Sequence, residues 1–221
     1  MAETTQRKTK TAVITGGHDY DVVSFQRLFR GIPEIDFYPQ NLWDYAADHS
    51  QKEYEVLLFY NMHTVTPGTD PGDRWGAAER KAIEDLGDTS QGIFLLHHAL
   101  VAYPEWPLWG EINGVPRRSG VQGFTMQTVR ADITDPDHPI TRGLESFEVV
   151  DETYIEDDAS EGSTVLLTTD HPRSMRTIAW TRQHRNARVF CYQSGHDDVA
   201  FSNPGFRTVV TRGIQWCAGR I

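Results

Sequence analysis

Residues 54–60 read YEVLLFY and residues 92–96 read GIFLL, two short apolar runs that lack the polar/apolar alternation of a half-solvated strand. A strand that keeps its apolar character on both faces is covered on both faces, which is the situation of a parallel sheet held between helical layers. Between the two runs lies a loop with Pro67, Gly68, Pro71 and Gly72. It leads into residues 73–86, where Trp75, Ala78, Ala82, Ile83 and Leu86 recur at helical spacing and Gly87 marks a stop. Upstream, residues 11–15 (TAVIT) form a β-rich run that ends in Gly16-Gly17, and a Phe25/Leu28/Phe29 stripe over residues 22–30 predicts a helix. Residues 34–38 supply a further strand. Strands alternating with helices in this way imply right-handed βαβ units, so the first half reads as flavodoxin-like α/β.

The second half has a different rhythm. Residues 103–120 carry three prolines together with Trp106 and Trp109, which predicts irregular or broken helical structure able to form a wall of a site. Residues 121–133, 147–154, 164–169, 177–181 and 188–193 are strand-like without helices between them, so antiparallel additions to the sheet are expected, the last two joined by a hairpin at Arg185-Asn186. Asn203 as N-cap, Pro204 at the first helical position and the apolar set Phe206, Val209, Val210, Ile214 and Cys217 predict a terminal helix that stops before Gly219.

With 221 residues and no linker-like or repetitive stretch, the chain reads as a polar, flexible tail over residues 1–10 and a single domain over 11–221. A formal net charge of −10 disfavours nucleic acid as a partner, because phosphate binding needs clustered Lys and Arg. The N-terminal residues lack the apolar core of a signal peptide and no apolar run approaches bilayer length, so a cytoplasmic protein without a membrane partner is expected. Cys191 and Cys217, the two cysteines, each sit in an apolar pattern and read as buried thiols.

In open α/β sheets ligands bind beyond the carboxyl ends of the strands. The residues that follow the expected strands there are His18, Asp19 and Asp21; Asn61 and His63; His97 and His98; and His196, Asp197 and Asp198. One histidine after a strand is more often a packing residue than a ligand, but four such positions together point to a site. His18, His98 and His196 are expected to face it and His97 to turn into the core; His138 is read as structural, His49 and His184 as surface residues. In residues 151–154 (DETY), alternation sends Asp151 and Thr153 to one face and Glu152 and Tyr154 to the other, so one face offers a carboxylate with a phenol. The competing reading is an exposed acidic edge that runs on into residues 156–158. Gly16-Gly17 lacks the third spaced glycine of a dinucleotide fingerprint, and no Walker loop, HExxH helix or G-x-S-x-G elbow is present.

Five segments in this order carry a resemblance: residues 14–18 (ITGGH), 92–99 (GIFLLHHA), 137–144 (DHPITRGL), 150–154 (VDETY) and 195–205 (GHDDVAFSNPG). Together they resemble the ThuA-like proteins, a branch of the class I glutamine amidotransferase-like superfamily, over nearly the whole chain. The resemblance implies a three-layer sandwich around a mostly parallel sheet. It also implies a link to trehalose and related disaccharides, and to sugars oxidised to a 3-keto form by a partner dehydrogenase. In amidotransferases of that superfamily the strand matching residues 92–96 leads to a nucleophilic cysteine at a tight elbow; here it leads to His97-His98, so glutamine hydrolysis is not expected.

A ketone at C3 acidifies the proton at C2, so a base could remove that proton while an acid assists departure of the C1 substituent. The roles expected from the sequence are Glu152 or His196 as base, His98 as acid, Asp197 orienting a histidine, and His18, Asn61, His63 and Tyr154 binding the sugar. A metal-assisted version would place a divalent ion such as zinc on His18, His98 and His196, although no sequence spacing demonstrates it. Trp106 and Trp109 are candidates to stack on a sugar ring, but aromatic residues at this spacing more often pack. The competing class is a non-catalytic sugar-binding or regulatory domain. A sugar substrate, a homo-oligomer and a pathway link to a sugar dehydrogenase are the partners this reading allows.

Overall fold

The computed structural model describes residues 7–70, 72, 74–118 and 121–221. Most of the expected N-terminal tail, with Pro71, Asp73 and Gly120 of the expected loops and helix, lies outside the described residues. Residues 9 and 10 are not tail. They open the first strand, β1 (Thr9–Gly16), which is followed by α1 (Val22–Arg30), β2 (Ile35–Asn41), α2 (Leu42–Ala47), β3 (Val56–Asn61), α3 (Gly76–Glu84) and β4 (Gly92–Leu96). A 3-10 turn over residues 97–101 leads to α4 (Pro107–Asn113). The second half is β5 (Gln122–Ile133), β6 (Phe147–Ile155), β7 (Thr164–Thr168), β8 (Thr177–His184), β9 (Ala187–Tyr192), α5 (Asp198–Ser202) and α6 (Pro204–Cys217).

The strands join in the order β2-β1-β3-β4-β9-β8-β7-β5-β6. Pairings from β2 through to β9 are parallel and those from β9 outward are antiparallel, as the change of rhythm between the two halves implied. Alternation along each central strand divides the core. Val13 packs with α1 and α6 on one face, while Ala12 and Ile14 pack with α2, α3 and α4 on the other. All residues of β3 and β4 are buried, which is why their sequences do not alternate. The short helices α2 and α5 escaped the sequence reading because each is scarcely more than one turn; Asn41 caps α2 through the Asp44 N–H at 2.8 Å.

The proline-rich stretch is held by an unusual device. The guanidinium of Arg118, buried, donates to the carbonyls of Val115, Tyr103 and Trp106 at 2.7, 3.0 and 2.8 Å, closing the segment around α4. Trp109 is fully buried and donates to the Ala99 carbonyl at 2.8 Å, and Trp106 is buried too, so both pack and neither offers a sugar-stacking face.

The ladder of β5 and β6 extends well beyond its junction with the main sheet. β5 meets β7 only at Asp132/Thr168 and Ile133/Leu167, whereas it pairs with β6 from Gln122 to Ala131. This arm carries the second half of β6 to the carboxyl ends of β4 and β9, where the Tyr154 carbonyl accepts from Met175 N at 2.7 Å and from Gln193 Nε2 at 3.2 Å.

Helix α6 lies so close to the sheet that a Cβ on Gly92 would stand 2.4 Å from the Cys217 carbonyl oxygen. Backbone on the far side cannot swing away as a side chain could, so Gly92→Ala is expected to cost about 1–3 kcal/mol of stability, read as a lowered urea midpoint; an unchanged midpoint would contradict this packing.

Candidate functional site

Strand β4 ends in a tight elbow at His97, which adopts the left-handed conformation with φ +55°. A non-glycine residue held there stores strain of about 1–3 kcal/mol and persists only where its surroundings determine it. Those surroundings are visible. His97 Nδ1 lies 2.7 Å from the Gln193 carbonyl just beyond β9, and because a carbonyl only accepts, Nδ1 carries the proton. The ring thereby turns Nε2 toward β6. It lies 3.1 Å from Tyr154 Oη, 3.3 Å from Glu152 Oε2 and 3.3 Å from His196 Nδ1.

Glu152 Oε2 is the hub. Tyr154 Oη donates to it at 2.7 Å, and His196 Nδ1 stands 3.1 Å away. Burial pushes the Glu152 carboxyl up, but the contacts from His196, His97 and Tyr154 outweigh it and hold the group well below the usual carboxylate range. The same partnership with Glu152 raises His196 above the ordinary histidine value, against the opposing effect of its partial burial. None of these contacts ends on Oε1, which stands 2.8 Å from where a Cβ on Gly123 would be.

Asp151, on the opposite face of the strand, is buried and accepts three backbone N–H groups: Gly195 at 2.8 Å, His196 at 3.0 Å and Glu152 at 2.8 Å. Burial raises its carboxyl despite the pull of His97 and these donors. Tyr60 adds a hydrogen bond to the Gly195 carbonyl at 2.8 Å. The turn after β9 is therefore clamped from two sides, which places His196. The sequence reading set Asp151 on the other face but gave it no task, and the acidic-edge reading of residues 151–154 is set aside, since Asp151 and Tyr154 are buried.

Several sequence expectations change here. His97, expected in the core, is fully buried yet stands at the centre, whereas His98 does not join Glu152 and His196. The elbow decides this, because a residue with positive φ redirects its side chain relative to the strand before it. His98 instead stacks near Tyr60 and His18, with ring centroids 4.3 and 4.9 Å apart. Both of its ring nitrogens are buried without a protein partner, and burial followed by the neighbouring His97 and His18 pushes it down to about 2, so it is neutral and no general acid. The metal set His18, His98 and His196 is likewise replaced: among the described residues, the donor atoms that converge are those of His97, Glu152 and His196. Asp197 orients no histidine; its carboxylate caps α5, accepting from Val199 N at 3.0 Å.

A cavity of about 230 Å³ opens beside the centre, bounded by His18, Asp21, Tyr60, His98, His196 and Asp197. His18 reaches it as expected, but Asn61 and His63 do not line it. Asn61 is buried and its amide serves Tyr103 Oη and His63 Nδ1, both at 3.1 Å, while His63 packs over Gly16. A larger cavity of about 560 Å³, around Tyr45, Gln51, Glu55 and Gln91, lies at the amino ends of β3 and β4. It is at the wrong end of a parallel sheet for a binding crevice. His138 accepts from Ile140 N at 3.2 Å and faces Trp216, the structural role expected of it.

Comparison with known proteins places the chain among relatives. The profile of the ThuA family, described as trehalose utilisation, matches residues 14–217. A ThuA-like protein from Parabacteroides merdae superposes with a TM-score of 0.73 at 20% identity, covering 97% of this chain and 92% of that one. A second, from Bacteroides uniformis, gives 0.68 at 20% identity over 98% and 94%. A glutamine amidotransferase from Thermotoga maritima shares the fold at 7% identity, with a TM-score of 0.57 over 96% and 99% of the two chains. No curated protein sequence matches the chain.

Asp151→Asn keeps the volume but withdraws one acceptor oxygen and turns an N–H₂ toward backbone donors. The expected loss is about 1–3 kcal/mol of stability, together with a displaced His196 ring signal in NMR spectra. An unmoved ring would mean that the clamp does not position it.

Proposed function

The chain belongs to the ThuA, or trehalose-utilisation, family, and from that premise we propose that it is an enzyme of carbohydrate metabolism acting on a disaccharide or a 3-keto-glycoside by proton transfer at the His97–Glu152–His196 centre. The observation that carries this reading is the convergence of two imidazoles, a carboxylate and a phenol, each within 2.7–3.3 Å of at least two of the others, next to a cavity at the carboxyl ends of the strands. A carboxylate held ionised by two histidines and a phenol beside a cavity is the kind of perturbed group that acid–base sites contain.

On a 3-keto-glycoside the groups take complementary parts. Glu152 Oε1, the oxygen left open by the hydrogen-bonding network, removes the C2 proton, and the C–H electron pair is stabilised by the neighbouring ketone. As the C1=C2 bond forms, the C1–O bond breaks, and the departing oxygen takes a proton from His196, which borders the cavity. Tyr154 and His97 hold the carboxylate in place. His98, neutral and with both ring nitrogens uncommitted, suits a hydroxyl that donates to one nitrogen and accepts from the other. No cysteine takes part. Cys191 and Cys217 are buried, and burial pushes both thiols up, away from the reactive thiolate.

The test is incubation of the purified protein with trehalose and with its 3-keto derivative, with products followed by NMR and mass spectrometry. Consumption of the keto sugar is expected, with Glu152→Gln slowing it by about 10²–10⁴-fold. Sugar binding without turnover would point to the non-catalytic reading instead. Gly123→Ala, which crowds Oε1 without touching the cavity, is expected to lower kcat by up to about 10²-fold while leaving the thermal midpoint unchanged; full activity in that variant would remove Oε1 from the mechanism.

A further inference from the structure

With Nδ1 of His97 donating to the Gln193 carbonyl, Nε2 is the ring nitrogen that faces the centre and is free to ligate. His97 Nε2 lies 3.3 Å from a carboxylate oxygen and 3.3 Å from a second imidazole nitrogen, His196 Nδ1. Three atoms able to ligate a cation thus face one point, one each from His97, Glu152 and His196.

The spacing says what size of charge fits. Four ligands at about 2.0–2.1 Å from a tetrahedral zinc ion stand about 3.3–3.4 Å from one another. The three separations here are 3.3, 3.3 and 3.1 Å, close to one face of that tetrahedron. Two further features accompany it. The outer nitrogen of His97 is bound to a backbone carbonyl, which sets the tautomer and aims the ligating nitrogen. The peptide N–H of His196 is fixed by the buried Asp151, so that ligand too is supported from behind.

We propose that His97 Nε2, Glu152 Oε2 and His196 Nδ1 form a binding site for a divalent cation of the zinc class. Two imidazoles and one carboxylate suit zinc better than magnesium or calcium, which take mostly oxygen ligands. Three protein ligands leave a fourth position for solvent or substrate, the pattern of a working site and not of a structural one. Held by these three residues, with Glu152 ligating through Oε2 and Oε1 left open, such a cation would supply Lewis-acid polarisation of a sugar oxygen. This inference concerns the centre of the proposed reaction, but its measurement needs no sugar.

The full-length protein is stripped with a chelator, dialysed, and titrated with Zn²⁺ by calorimetry and with Co²⁺ by visible absorption. One equivalent is expected to bind, and Co²⁺ is expected to give the intense bands of a tetrahedral environment. His97→Ala, Glu152→Gln and His196→Ala are each expected to weaken binding at least 100-fold, with far-UV circular dichroism checking the fold. His98→Gln is expected to retain it. Absence of stoichiometric binding by the wild type, or loss of binding in His98→Gln with retention in His97→Ala, overturns the proposal, and the wild-type titration stands even if a variant fails to fold. Turnover of a keto sugar by metal-free protein that binds no Zn²⁺ would remove the cation and leave the sugar chemistry; one bound equivalent without turnover would do the reverse.

Discussion

A buried carboxylate holds this site together. Asp151 is deep in the protein and receives three peptide N–H groups, two from the turn after β9 and one from its own strand. A charge removed from water is tolerable only when donors replace its hydration, and here the donors are the backbone atoms that must be fixed for His196 to meet Glu152. The stabilisation of Asp151 and the assembly of the site are one interaction. Glu152, its neighbour, faces the other way and spends its own charge on side chains.

Much of this was legible because it depends on local periodicity. Unbroken apolar runs at β3 and β4 announced strands covered on both faces, and Asn203-Pro204 announced the start of α6, whose capping bond from Phe206 N is present at 3.1 Å. The alternation of residues 151–154 paired Glu152 with Tyr154, and their side chains do meet. What depended on backbone turning was hidden. Two adjacent histidines follow β4, and only the positive φ at the first decides that His97 reaches the centre while His98 turns to Tyr60. Nor does any spacing reveal that a strand at the far end of the sheet order returns to the ends of β4 and β9, because that follows from the length of an arm and not from a motif.

The elbow also shows how one fold can present different side chains at the same turn. The resemblance to amidotransferases sets a nucleophile at the turn after this strand; in this chain the turn survives, strained backbone included, and an imidazole occupies it. A cysteine there would attack, whereas an imidazole whose Nδ1 is tied to a carbonyl can only accept a proton, share one or bind a cation at Nε2. The scaffold conserves a direction in space and leaves the reagent open.

The arm formed by β5 and β6 has a consequence of another kind. It is fastened to the principal sheet by two residue pairs, yet it delivers Glu152 and Tyr154. Its inward face joins the core through Val129, Ala131 and Val149, while its outer end already carries an irregularity between Phe124 and Gln127. The fold thus divides its tasks: the parallel strands and their helices hold most of the core, and the arm brings in two of the side chains that meet at the centre.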